Sequence, residues 1–182
     1  IAMIGTLLNS HQANAATRMD SIQITPTIID LKLKKDEFSK EKIVIENISG
    51  QNITLYPFVY YIDALGKRIL QDDLKIDRAI SLANWLNFPR GAVEFFNGQE
   101  KRKEIEILIS PSPHTPSGTY HAVIAFAQGG VRDEAKANLK DAKTITLNVE
   151  FIEEIIERLQ IKKFTADKLF AVGKTVDFEY EI

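Results

Sequence analysis

Residues 143–151 read KTITLNVEF, and they decide the fold. Ile145, Leu147, Val149 and Phe151 fall on one face of an extended chain, with Thr144, Thr146, Asn148 and Glu150 on the other. Successive side chains of a strand point to opposite faces, so this pattern predicts a strand with one apolar face on a core. The same period recurs upstream. In 101–111, KRKEIEILISP, Ile105, Ile107 and Ile109 alternate with Glu104 and Glu106. After the turn residues PSPHTPSG (111–118), the run TYHAVIAFAQ (119–128) sets Tyr120, Ala122, Ile124 and Phe126 on one face. Residues 41–63, EKIVIENISGQNITLYPFVYYID, read as two strands joined at SGQ. Ile43 and Ile45 line the first, and Ile53, Leu55, Val59 and Tyr61 line the second. Residues 21–33, SIQITPTIIDLKL, form a strand broken at Pro26; a strand interrupted by proline belongs at a sheet edge. Pro57 predicts a bulge or an edge in the same way, and Gly66 in DALGKR supplies a reversal.

About seven short strands with turn signals between them describe an all-β fold, an immunoglobulin-like antiparallel β-sandwich. Tyr120, just inside the penultimate strand, is placed to form a tyrosine corner. The centre, 71–91, lacks clean alternation; SLANWL (81–86) suggests a helical turn capped by Ser81. Trp85, Phe95 and Phe96 there are expected to tuck over one end of the sandwich.

The two ends read differently from the middle. The opening IAMIGTLLNSHQANAAT has an apolar run followed by small residues, Ala13 and Ala15, with cleavage expected before Ala16. It reads as the remnant of a secretory signal, 1–15, and predicts export; a short N-terminal helix is the alternative. The run is far shorter than the roughly 20 residues of a membrane span. The body then covers 16–151. Residues 152–158 read as an acidic linker, although Ile152, Ile155, Ile156 and Leu159 also match helical spacing. Residues 159–182 resemble the first strands of a second, truncated sandwich, which implies that the protein continues past Ile182.

Composition narrows the partners. The chain has no cysteine, a net charge of −2 and 45% hydrophobic residues. That balance fits an exported bacterial domain held by its core and gives no electrostatic footprint for nucleic acid. A membrane enters only through an anchor beyond the present C-terminus. Of the three histidines, His114 sits in a turn and His121 opposite Tyr120, so no metal set converges. Asp72–Asp73 and Glu153–Glu154 are adjacent carboxylates that point apart on an extended chain. No G-x-S-x-G, cysteine nucleophile or phosphate-cradling loop is present, and the reading is non-enzymatic, with no cofactor.

Binding is the better prospect. Tyr56, Phe58 and Tyr60 share the strand face opposite Leu55 and Val59. They offer an aromatic row for sugar rings or partner side chains, or a row covered by a loop or neighbouring domain. Residues 129–143, GGVRDEAKANLKDAK, exceed the roughly 2–5 residues of a hairpin loop and are expected to form a variable contact region through Arg132, Asp133 and Lys136. Asn47–Ile48–Ser49 and Asn52–Ile53–Thr54 match the glycosylation sequon but suit turn chemistry.

Taken together, ITPTIIDLKLKKDEFSKEKIVIENISGQNITLYPFVYYIDALGKR (24–68) and EKRKEIEILISPSPHTPSGTYHAVIAFAQG (100–129) resemble the N-terminal extracellular domain of WxL-interacting surface proteins of Gram-positive bacteria. The shared marks are the early proline, Ile45, Asn47 and Ser49 at a strand end, and Pro116, Gly118, Tyr120, Ile124 and Phe126. The outline is also similar to the first domain of pilus-assembly chaperones. The resemblance covers about 21–151. It implies a secreted, cell-surface binding or scaffolding module that contacts peptidoglycan or another cell-wall polysaccharide, or a surface protein in adhesion. The alternative it leaves is a periplasmic chaperone that lends an edge strand to a subunit, with Arg18 and the lysines of KLKK as the nearby basic residues.

Overall fold

The computed structural model describes residues 19–34, 36–71, 81–96 and 100–152. Ala13, Ala15, Ala16, Arg18, Asp72–Asp73, the linker from 153 onward and the second sandwich lie outside these residues. Two sheets face each other. A four-stranded sheet runs in the order β1 (Ile22–Thr25), β3 (Ser39–Asn47), β8 (Arg102–Ile109) and β6 (Leu86–Asn87). A six-stranded sheet runs β2 (Ile28–Lys34), β10 (Lys143–Ile152), β9 (Gly118–Gln128), β4 (Ile53–Ile62) and β5 (Arg68–Leu70), with β7 (Val93–Phe95) also on β4. Helix α1 (Leu82–Trp85) precedes β6; helix α2 (Arg132–Ala137) and a 3-10 turn (Leu139–Asp141) lie between β9 and β10. This is an all-β immunoglobulin-like sandwich.

The alternating aliphatics meet between the sheets. Ile43, Ile45, Ile105, Ile107 and Ile109 face Leu55, Ile124, Phe126, Ile145, Leu147 and Val149, all buried in one cluster. Each such side chain contributes about 1.5–3 kcal/mol by leaving water. Pro26 breaks the first strand as expected, across a cis peptide with Thr25. The break moves the chain from one sheet to the other, so β1 and β2 are edges of different sheets. The sandwich is not wholly antiparallel: β2 pairs in parallel with β10, Ile28 opposite Thr146 through Lys34 opposite Ile152. The crossover at Pro26 sets that direction.

Pro57 departs from expectation. Strand β4 is central and unbulged, in unbroken register with β9 from Leu55 to Tyr61. Its other side carries β7 only at Ile53–Leu55 and β5 only at Tyr60–Ile62. Pro57 falls in the interval between them, where a missing N–H costs no ladder bond. Its carbonyl accepts a hydrogen bond from Arg132 Nη1 at 3.2 Å.

Trp85 and Phe95 are buried in the main cluster, but Phe96 is half exposed and closes nothing. Ser81 stands at the N-cap of α1 without a side-chain capping bond. The tyrosine corner is present: Tyr120 Oη donates to Pro116 O at 2.7 Å, and its ring lies 4.6 Å from that of Trp85. Asn47 does turn work, its Oδ1 accepting from Ser49 N and Ser49 Oγ while Nδ2 donates to Gln51 O. Gly66 takes φ +78°, with Asp63 Oδ1 accepting from Leu65 N and Lys67 N.

Candidate binding face

The outer faces of the two sheets differ. On the four-stranded sheet, Lys40–Glu106, Lys42–Glu104 and Arg102–Glu46 pair across β3 and β8 in water. The Lys42 ammonium beside Glu104, with Arg102 on its other side, holds that carboxyl below the usual range. Such exposed pairs leave little unspent charge for a ligand.

The outer face of the six-stranded sheet is partly covered, and that changes the reading of β9. Beyond its inward residues, Val123, Ala125 and Ala127 are buried too, so the strand is apolar on both faces. Residues 129–143 fold back over it as α2 and the 3-10 turn. A second cluster forms there from Phe58, Leu70, Ala127 and Ala135, with Tyr56, Tyr60, Leu139 and Ala142 packed against it. The expected variable loop is therefore a lid on the aromatic row. Gly129 makes the return possible: a Cβ there would sit 2.4 Å from Ala135 N and 2.9 Å from Val131 O. Glu134 Oε2 accepts from Gly130 N at 2.7 Å, and Asn138 Nδ2 donates to Gln128 O at 3.0 Å.

Arg132 fastens the lid. Its guanidinium lies 4.5 Å over the Phe58 ring and donates to Pro57 O and, at 3.4 Å, to Arg90 O. Phe58 is 1% exposed, so it supports the lid and is not a stacking platform. Tyr56 is half-buried with its hydroxyl 3.5 Å from Gly130 O. Asp133 is exposed in the first turn of α2.

Tyr60 and Lys136, taken from different parts of the sequence, come together at the margin of the lid. Tyr60 is half-buried, and loss of water raises its hydroxyl pKa, while the positive fields of Arg68 and Lys136 oppose that rise. Register explains Arg68: Ile62 lies opposite it on β5, two residues along the same face from Tyr60. Beyond Tyr60 the face becomes polar. His121 Nδ1 and Asn148 Oδ1 are 2.7 Å apart, and Asn148 Nδ2 donates to Asp30 Oδ1 at 2.7 Å, a row crossing β9, β10 and β2. Lys32 Nζ lies 3.1 Å from Glu150 in the next row. Arg68, Asn148 and Asp30 escape sequence reading because only register sets them on the same sheet face as Tyr60. Among the described residues no group of His, Cys, Asp and Glu could hold a metal ion, and no helix is long and apolar enough to cross a membrane.

No family model matches the sequence, and no curated protein matches it. Solved structures of similar outline exist. The PapD-like domain 7 of human CEP192 has a TM-score of 0.46 at 13% identity, covering 84% of this chain and 99% of that one. The class 5 fimbriae chaperone CfaA has a TM-score of 0.47 at 14% identity, covering 73% of this chain and 57% of that one. The E. coli chaperone DraB has a TM-score of 0.43 at 10% identity, covering 71% and 54%. The chain thus spans little more than half the length of either chaperone.

Proposed function

We propose that this domain is a non-catalytic binding and scaffolding module of a bacterial cell surface, working outside the cytoplasm and meeting cell-wall polysaccharide. The ligand face is the outer side of the six-stranded sheet at the margin of α2. One observation carries the reading: Tyr60 is half-buried at the margin of α2 within the positive fields of Arg68 and Lys136, on the same sheet face as the hydrogen-bonded row of His121, Asn148 and Asp30 that crosses β9, β10 and β2. A tyrosine ring stacks on the apolar face of a sugar, amide and imidazole groups bond its hydroxyls, and the two cations suit carboxylates or phosphates along a wall glycan. A rigid strand frame fixes these groups in advance, which lowers the ordering cost of a weak, repeated contact.

The strand-lending alternative is less well served. The free side that the last strand would offer is taken by β2 from Thr146 to Ile152. Sedimentation of the chain with purified wall separates the readings. Wild type is expected to co-sediment, and Tyr60→Ala and Arg68→Glu are expected to weaken binding by about tenfold each while keeping the fold. Unchanged binding by both variants refutes the assigned face.

A further inference from the structure

The polar row on the outer face of the six-stranded sheet has a direction, and that direction fixes what His121 shows to solvent. Asn148 stands opposite His121 on β9 and opposite Asp30 on β2, so its amide lies between an imidazole and a carboxylate. A carboxylate accepts hydrogen bonds and donates none, so the amide nitrogen faces Asp30 and the amide oxygen faces the ring. The distances agree: Asn148 Nδ2 donates to Asp30 Oδ1 at 2.7 Å, and Asn148 Oδ1 lies 2.7 Å from His121 Nδ1. Nδ1 must then carry the proton, because two acceptors cannot bond each other. The neutral ring keeps its lone pair on Nε2, which no group bonds among the described residues.

The outward residues of β9 run Thr119, His121, Val123, Ala125 and Ala127; the last three are buried, whereas His121 is exposed. Burial of the outer face therefore ends at Val123. One step past the Tyr61–Ala122 pair, Ile62 comes opposite His121, with Tyr60 two residues along the same face of β4. Both are half-buried. An apolar shelf thus runs beside an acceptor nitrogen that is oriented by an amide and, through it, by a carboxylate.

We infer that His121 Nε2 is the hydroxyl-reading position of this face: it accepts a hydrogen bond from a hydroxyl of the wall polysaccharide and so selects, at this position, a sugar or polyol unit over a group that offers only carbonyl, carboxylate or phosphate oxygens. The inference rests on the reading of this sheet as the glycan face. The hydroxyl donates to Nε2 while the apolar side of the same unit packs on Ile62 and Tyr60. Asn148 and Asp30 are positioning residues. The carboxylate polarises the amide and makes its oxygen a better acceptor for Nδ1–H, which strengthens the bond at the far end of the chain. Without them the ring is free to move its proton to Nε2 and become a donor.

Two measurements on the full chain test this. Ring nitrogen resonances of an isotope-labelled chain read the tautomer in mildly alkaline buffer with no ligand present. His121 is expected in the Nδ1–H form, and Asn148→Leu is expected to move the ring towards Nε2–H. Wall fragments released by a muramidase are the binding probe. His121→Gln keeps an acceptor oxygen near the place of Nε2 and should bind within about threefold of wild type, whereas His121→Asn keeps the bond to Asn148 but offers nothing outward and should lose about tenfold. An Nε2–H ring in the wild type, or equal affinities for His121→Gln and His121→Asn, overturns the inference and leaves the glycan reading standing. Wild type that does not bind the fragments overturns both.

Discussion

Replacing Gly129 with alanine adds a single methyl at the place where the chain turns off β9 to lay α2 on the sheet. That methyl would stand 2.4 Å from Ala135 N and 2.9 Å from Ala135 Cα, against 3.4 Å or more for ordinary contact. The first turn of α2 must retreat by about 1 Å, and the obstruction is backbone, so no side-chain rotation relieves it. Overpacking of this kind costs about 1–3 kcal/mol. Alanine recovers roughly 0.4–1 kcal/mol by restricting the unfolded chain. The net expectation is a loss of about 1–2 kcal/mol, or about 2–8 °C in Tm for a chain of this size. Denaturant unfolding read by Trp85 fluorescence measures it, with amide exchange at Ala135 and Asn138 to show that the lid loosens first. Gly91→Ala is the control, because a Cβ at Gly91 meets nothing within 4 Å. A Gly129→Ala protein as stable as wild type, with α2 equally protected, would refute the lid geometry.

Three further outcomes follow from the same contacts. Phe58→Ala removes the ring beneath Arg132 and should cost about 3–5 kcal/mol in denaturant unfolding; a loss under 1 kcal/mol on the order expected of surface sites would show that Phe58 is not core. Tyr120→Phe deletes only the bond to Pro116 O and keeps the ring against Trp85, so about 0.5–1.5 kcal/mol is expected by the same assay, and no loss would dismiss the corner as a stabilising device. Burial raises the hydroxyl pKa of both Tyr60 and Tyr120 above 10.0. The unfolded chain then gives up these protons first, so stability is full below pH 10 and falls as pH rises beyond it. The denaturation midpoint should decline more steeply there for wild type than for the Tyr60→Phe/Tyr120→Phe protein, and parallel slopes would contradict the assignment.

What could be read from the chain alone was whatever one strand face writes into its own residues. Ile105, Ile107 and Ile109, like Ile145, Leu147 and Val149, announce their strands because each faces the core and its neighbours face water. Tyr120 was legible because its partner is four residues away. Strands β5, β6 and β7 are two or three residues long and hold no period to detect. Pro57 misleads because tolerance for its missing donor depends on where β5 and β7 end, a matter of distant segments. The lid has a sequence signal of its own: Ala135, Leu139 and Ala142 recur at helical spacing, and the unbroken apolar run from Ala122 to Ala127 marks a strand buried on both faces. The aromatic row and the charged loop were each legible as candidates, whereas their meeting at Tyr60 and Lys136 is a product of tertiary folding.

The central claim is that wall glycan meets the six-stranded sheet beside α2. Titrating an isotope-labelled chain with soluble wall fragments, and reading amide and side-chain shifts, addresses it most directly. Saturable shifts gathered at Tyr60, Arg68, His121, Lys136 and Asn148 are the expected result. Shifts confined to the charge-paired face around Lys42 and Glu104, or none at saturating fragment, would contradict it.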